Sequence, residues 1–128
     1  MGIICADLIL KNYPTEPGSP PDNVESVVLS STSIAVTWEE VPLIDQNGII
    51  IVYEVLYEPL GTFGGILAPY TVNTTDLEAV IMNLIAFVSY NISIRAYTSV
   101  GPGPYSALIA NRTLEEGSKH DIDIKNMH

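Results

Sequence analysis

Ser33-Ile34-Ala35-Val36-Thr37-Trp38-Glu39 alternates apolar and polar side chains with a period of two. Successive side chains of a strand leave on opposite faces, so Ile34, Val36 and Trp38 are predicted to share one face and pack inward. Three further runs repeat the pattern. Ile51, Tyr53, Val55 and Tyr57 fall on one face, with Glu54 and Glu58 on the other. Leu77, Ala79 and Ile81 make a shorter run. Tyr90, Ile92, Ile94 and Ala96 make a longer one, with Asn91, Ser93 and Arg95 outward. β-Branched and aromatic residues dominate these runs, as a half-buried pleated surface favours. Turn formers separate them: Pro42, Gln46-Asn47-Gly48, residues 59–65, and Gly101-Pro102-Gly103-Pro104. No stretch has helical spacing. Short strands at even intervals predict an all-β sandwich or small barrel.

The chain of 128 residues fits one domain with short tails. Apolar residues make up 47% and charged residues 16%, enough to bury a core and to exclude disorder of the whole chain. The formal net charge is −10. A nucleic-acid binder needs a basic footprint, and anionic lipid repels an acidic surface, so neither partner fits. The single cysteine, Cys5, excludes an internal disulfide framework and a multi-cysteine zinc site. Residues 3–10 are an apolar run too short to span a bilayer, without the basic start and small-residue cleavage site of a secretory signal. Ala6 stands where a myristoylation motif wants Ser or Thr. Residues 117–128 lack apolar periodicity and read as a disordered, solvated tail. His120, Asp121, Asp123 and His128 lie in that tail with nothing to hold ligand geometry, so no metal is assigned to them.

Five segments, in order and at the right spacing, resemble a fibronectin type III domain over residues 19–116. Pro20-Pro21-Asp22-Asn23-Val24 is similar to the family's approach to its first strand. The run from Ser31 to Pro42 resembles the second strand, with the family's core tryptophan at Trp38. Asn47-Gly48 followed by Tyr53-Glu54-Val55-Leu56-Tyr57 resembles the third. Asn83-Leu84 and then Tyr90 resemble the tyrosine corner leading into the sixth strand, and Gly101 to Ser106 with Thr113 resemble the last loop and strand. The resemblance implies an immunoglobulin-like β-sandwich of seven antiparallel strands. It places Trp38, Tyr53, Leu84 and Tyr90 in the structural core, with the Tyr90 hydroxyl bonding backbone near the preceding corner.

Two positions depart from the family pattern. Ala86 stands where a proline is usual, and Asn111 where the family is apolar, as it is at Ile109. The polar residue predicts a bulge or a last strand that peels away early. An immunoglobulin domain proper would need a cysteine pair and a third-strand tryptophan, whereas Cys5 lies outside the domain and Trp38 precedes that strand. Residues 1–18 read as a linker or the end of a preceding segment. Thr15-Glu16-Pro17-Gly18-Ser19-Pro20-Pro21 resembles the close of an earlier repeat, echoed by Thr113 about one sandwich length later, which points to a tandem array.

Three Asn-x-Ser/Thr triplets occur, at Asn73, Asn91 and Asn111, where composition alone gives about one. They are candidate N-glycosylation sites of a secreted domain. Asn91 alternates out of phase with Tyr90 and Ile92 and is expected to face water; Asn73 lies in a polar turn; the facing of Asn111 is open. Asp22, Glu39, Glu40 and Asp45 are scattered over separate turns and do not supply the converging oxygens that calcium requires. No nucleophile, general base or cofactor motif is recognisable. The loop carrying Leu60, Phe63, Ile66 and Leu67 among three glycines is a candidate partner-binding loop, or else tucks over the core or pairs as a short edge strand.

The resemblance implies a non-catalytic extracellular module, part of a secreted or single-pass membrane protein, that needs no cofactor. Such a module spaces domains and mediates protein–protein or adhesive contacts beside adjacent fibronectin type III repeats, as in adhesion receptors and receptor-type tyrosine phosphatases. Two alternatives use the same fold: an intracellular array of the muscle giant-protein type, and a spacer in a secreted carbohydrate-active enzyme. Residues 19–114 carry nine acids against Arg95 and Arg112, a net charge of −7, so the isolated domain is expected to be a monomer without direct membrane contact. Arg95 is expected to lie near Glu54 or Glu58 in an exposed cross-strand pair.

Overall fold

The computed structural model describes residues 14–60 and 69–116. Seven antiparallel strands form two sheets. β1 (Asp22–Val28), β2 (Ile34–Glu39) and β5 (Glu78–Ile81) make a three-stranded sheet in the order β1-β2-β5. β3 (Val52–Pro59), β4 (Tyr70–Thr74), β6 (Ser89–Tyr97) and β7 (Ile109–Arg112) make a four-stranded sheet in the order β4-β3-β6-β7. A single 3-10 turn, Leu43–Asp45, lies between β2 and β3. The inward faces follow the period of two. Ile34, Val36, Trp38 and Ile81 come from one sheet, and Tyr53, Val55, Tyr90, Ile92, Ile94 and Ala96 from the other. The Trp38 and Tyr53 rings meet across the sandwich at 5.6 Å, tilted by 60°. Each buried large apolar side chain contributes about 1.5–3 kcal/mol, and this interdigitated layer holds the sheets together.

The corner before β6 is held by hydrogen bonds. The Ile85 N–H donates to the Tyr90 hydroxyl at 2.9 Å, and the Leu84 N–H donates to the Thr32 carbonyl at 3.0 Å. The Thr113 hydroxyl donates to the Ile85 carbonyl at 2.7 Å and accepts the Val88 N–H at 3.0 Å. Phe87, beside Ala86, has a φ of 56°, a costly conformation for an aromatic residue. Its N–H bonds the Leu114 carbonyl at 3.0 Å, and the Arg112 guanidinium lies 4.7 Å from its ring centroid. These contacts brace a corner that lacks the usual proline.

Asn111 corrects the expectation of a bulge or an early departure. β7 runs in continuous register against β6, with Asn111 opposite Tyr90. Its side chain turns inward at the open edge of the sandwich, where Nδ2 donates to the Ser26 hydroxyl at 3.0 Å. A polar residue fits because the seam between β7 and β1 offers it an acceptor. The register shift instead falls in β1, between Asp22 and Glu25. There Asn23 takes a φ of 49° and its amide donates to Glu39 Oε1 at 2.7 Å.

Other facings differ from the alternation. Ile51 precedes β3; its N–H bonds the Tyr97 carbonyl at 2.9 Å, yet its side chain is exposed. Leu77 sits in the turn ahead of β5 and is also exposed. Glu54 and Ser93 face outward from the core but are buried, because neighbouring groups cover them.

Candidate interaction surfaces

Three regions carry chemistry beyond packing. The first is the outer face of the four-stranded sheet. The register pairs Glu54 on β3 with Arg95 on β6, and the period of two sends Tyr97 to the same face. Tyr105 reaches them from the β6–β7 connection. Glu54 Oε1 accepts from Arg95 Nε at 2.8 Å and from the Tyr97 hydroxyl at 2.6 Å, and Oε2 accepts from the Tyr105 hydroxyl at 3.2 Å. The guanidinium lies 5.3 Å from the Tyr97 ring centroid and 4.4 Å from that of Tyr105. The two aromatic residues shield the ion pair, leaving Glu54 only 8% exposed, so it is not the solvated surface pair expected from alternation.

Burial alone would raise the Glu54 carboxyl, but the hydrogen bonds from Tyr97 and Arg95 and the arginine's charge outweigh it and hold the group below its ordinary value. The Tyr97 hydroxyl is pushed up by its bond to Glu54 and by burial. The cluster is self-satisfied: a buried charge with its partners present. Among the described residues, no group of three or more His, Cys, Asp or Glu side chains is placed to hold a metal ion. Nor is any of the described helices long and apolar enough to cross a membrane.

The second region is the end of the sandwich where residues 14–18 approach. The Thr15 N–H donates to the Asn47 carbonyl at 2.8 Å, and the Gly18 N–H to the Asp45 carbonyl at 2.7 Å. Asn47 Nδ2 donates to the Glu16 carbonyl at 3.1 Å, and the Thr98 hydroxyl to the Thr15 carbonyl at 2.7 Å. Pro17 is buried. A Cβ on Gly103 would lie 2.7 Å from both the Pro17 Cβ and its carbonyl oxygen, so glycine is required for this approach. Gly48, at φ 151°, passes beneath Pro14 in the same way. Residues 14–18, read from the sequence as linker, are thus bonded to two loops of the domain.

The same end exposes apolar side chains. Leu43, Ile44 and Ile49 are 83%, 86% and 81% exposed, beside a cleft of about 410 Å³ lined by Glu40, Leu43, Ile49, Ile51, Tyr53 and Leu77. Sequence reasoning passed over this loop because Pro42 and Gln46-Asn47-Gly48 read as turn formers between two strands. The doubled Leu43-Ile44, which no strand period accommodates, was the available signal. Of the expected binding loop, Leu60 is exposed and its N–H bonds the Ser89 carbonyl at 2.9 Å; Phe63, Ile66 and Leu67 lie outside the described residues.

The third region is the set of asparagines. Asn73 lies within β4, opposite Glu54, and not in the polar turn expected from the sequence; it is exposed, while Asn91 is half-buried on β6, opposite Glu58. Asn111 is the inward residue of the β1–β7 seam. Trp38, Tyr53, Leu84 and Tyr90 all lie in the core.

Comparison with known proteins follows the same lines. Residues 19–112 match the fibronectin type III domain family. The chain is 34% identical over 125 residues to phosphatidylinositol phosphatase PTPRQ of Homo sapiens, covering 94% of this chain and 5% of that protein. It is 31% identical over 118 residues to receptor-type tyrosine-protein phosphatase F of Danio rerio, covering 90% of this chain and 6% of that protein. The crystal structure of the FN5 domain of Drosophila Lar superposes with a TM-score of 0.61 at 31% identity, covering 77% of this chain and 97% of that one. The chain therefore spans about a twentieth of the length of these curated relatives, and the likeness concerns one domain of each.

Proposed function

Since the chain belongs to the fibronectin type III family, we propose that it is a non-catalytic extracellular module that spaces its neighbours and offers protein-contact surfaces within a larger receptor. The observation that carries this reading is the bonded approach segment. A spacer transmits orientation only if the chain entering it is fixed, and residues 14–18 are held by four hydrogen bonds to the 45–47 loop and to Thr98. The exposed Leu43, Ile44 and Ile49 adjoin that segment through Gly48 and Pro14. In this reading they pack against the preceding part of the parent chain. The relatives support a cell-surface setting, one of them bearing the name of a receptor-type phosphatase.

Gly103→Ala tests the spacer. Gly103 is fixed by its N–H bond to the Ala96 carbonyl at 2.8 Å, so the added methyl group displaces Pro17 and leaves the core untouched. Hydrogen exchange should show faster exchange at the Thr15 and Gly18 amides with Ile92 and Ile94 unchanged. Small-angle scattering of the parent's extracellular region should then show a broader distribution of end-to-end distances. Released amides with an unchanged distance distribution would overturn the spacing role. Antibody labelling of this chain on intact cells, absent until permeabilisation, would overturn the extracellular setting.

A further inference from the structure

We propose that Asn73 and Asn91 are N-glycan acceptors and that Asn111 is not, so that carbohydrate covers the outer face of the four-stranded sheet alone. This rests on the extracellular reading. The reaction joins the anomeric carbon of an oligosaccharide, carried on a lipid pyrophosphate, to the asparagine Nδ2. The anomeric C–O bond breaks, the C–N bond forms, the lipid pyrophosphate leaves, and the amide gives up one proton. The product therefore keeps a sugar on Nδ2, and the fold must leave room beside that atom.

At Asn73 and Asn91 the register provides that room. Paired residues on antiparallel strands point to the same face. Asn73 pairs with Glu54, whose neighbours Tyr53 and Val55 are in the core, so Asn73 faces outward. Asn91 pairs with exposed Glu58 and with Ala110, and lies between core residues Tyr90 and Ile92, so it also faces outward. Neither amide is hydrogen-bonded by its side chain among the described residues. Across β3, two strand spacings separate them by about 10 Å, and four residues along the strand by about 13 Å. Two attachments about 16 Å apart on one face have Leu56 of β3 midway between them, with Glu54 and Arg95 in the same cross-strand row as Asn73.

At Asn111 the same atom is occupied. Nδ2 donates to the Ser26 hydroxyl at 3.0 Å inside the β1–β7 seam, and Oδ1 accepts the Arg112 N–H at 3.0 Å. The third residue of that triplet, Thr113, is 1% exposed with its hydroxyl committed to Ile85 and Val88. A sugar added there before folding would stand between β1 and β7, so molecules that carry one fail to close the sandwich. Folded, secreted protein is consequently free of sugar at residue 111. The bare surfaces that remain for protein contact are the outer face of the three-stranded sheet and the end bearing Leu43, Ile44 and Ile49.

The test uses the full chain behind a secretory leader in a eukaryotic secretory host, followed by glycosidase release in heavy-oxygen water and peptide mass mapping. This reads the competence of each asparagine whether or not the parent protein is extracellular, and intact-cell labelling reads the latter separately. Folded monomer should carry the isotope label at residues 73 and 91 and none at 111. Asn73→Gln and Asn91→Gln should each remove one glycan, and the double variant should leave none. Label at residue 111 in folded protein, or unmodified Asn73 or Asn91, would overturn the proposal. The mapping at residue 111 is made on the wild-type chain, so it does not depend on a variant of that seam folding.

Discussion

Replacing Glu54 with glutamine keeps its size and shape and removes its charge. The carboxylate accepts two short bonds, from Tyr97 at 2.6 Å and Arg95 at 2.8 Å, and a longer one from Tyr105 at 3.2 Å. A hydrogen bond to a charged group contributes about 1.5–3 kcal/mol, against about 1 kcal/mol for a neutral pair. Losing that difference on the two short bonds costs about 2 kcal/mol. The Arg95 side chain is 26% exposed, so water compensates in part, and the expected loss for Glu54→Gln is about 1–2 kcal/mol. Glu54→Leu also strands the guanidinium and should cost about 3 kcal/mol. Removing the arginine as well, in Glu54→Leu with Arg95→Leu, should restore at least about 1 kcal/mol, because no unpaired charge remains. Urea unfolding at neutral pH with an unchanged slope measures all three. A glutamine variant within about 0.3 kcal/mol of wild type, or losses that simply add in the double variant, would refute the reasoning.

The same cluster has a pH signature. The folded Glu54 carboxyl is held below its ordinary value, so the folded state binds fewer protons than the unfolded state between the two values. Its contribution is fully present above the unfolded value, about 4.3, and is lost as pH falls through the lower folded value. Tyr97 is shifted upward, so its contribution is full below about 10 and is lost as pH rises through the folded value. Glu54→Gln should therefore flatten the acid limb of the stability profile. An acid limb identical to that of wild type would place the loss elsewhere.

Two further substitutions test the core. Trp38→Ala should cost about 3–5 kcal/mol, whereas Trp38→Phe should cost about 1–1.5 kcal/mol, because the buried Nε1 has no hydrogen-bond partner and only volume is lost; thermal and urea unfolding measure both. Tyr90→Phe leaves the Ile85 N–H without its acceptor and should cost about 1–2 kcal/mol in the same assay, and no measurable loss would mean that water replaces the corner bond.

The strands were legible because a half-buried strand must alternate, and Ile34, Val36, Trp38, Tyr90, Ile92 and Ile94 do so without exception. That Arg95 meets Glu54 or Glu58 across the strands was legible for the same reason, and the register selects Glu54. The burial of the pair was not, because Tyr97 and Tyr105 cover it from two different segments, and no local pattern reports on a lid built from a distant loop. Asn111 looked like a defect because the resemblance to the family calls for an apolar residue at that position. A family pattern cannot show that the inward face there ends at an open seam where Ser26 supplies an acceptor. Leu43, Ile44 and Ile49 were missed from the opposite side. Apolar residues in a sequence are read as core, and only the fold reveals that this loop has no core above it.

That loop narrows what can meet it. Glu40 and Asp45 lie in or beside it, Glu16 packs over Gly101 at the same end, and the domain as a whole carries −7. Two copies meeting end to end would press these acids together at low dielectric, a repulsion that grows as salt is reduced. A segment already tethered at Pro14 avoids most of this opposition. It brings its own local concentration instead of a second copy of the acidic rim, and it arrives at Gly48, one residue from Ile49. The outer face of the three-stranded sheet differs. There Val27, Ala35 and Val80 lie in one row across β1, β2 and β5, with the Glu25, Thr37 and Glu78 row beside it. Half-exposed apolar groups next to acids suit a partner that brings cations to the rim, and a second copy of this chain has few to bring. On the proposed reading, charge therefore suits the two surfaces to different kinds of contact: the end to the chain's own continuation, and the sheet to a protein with a basic rim.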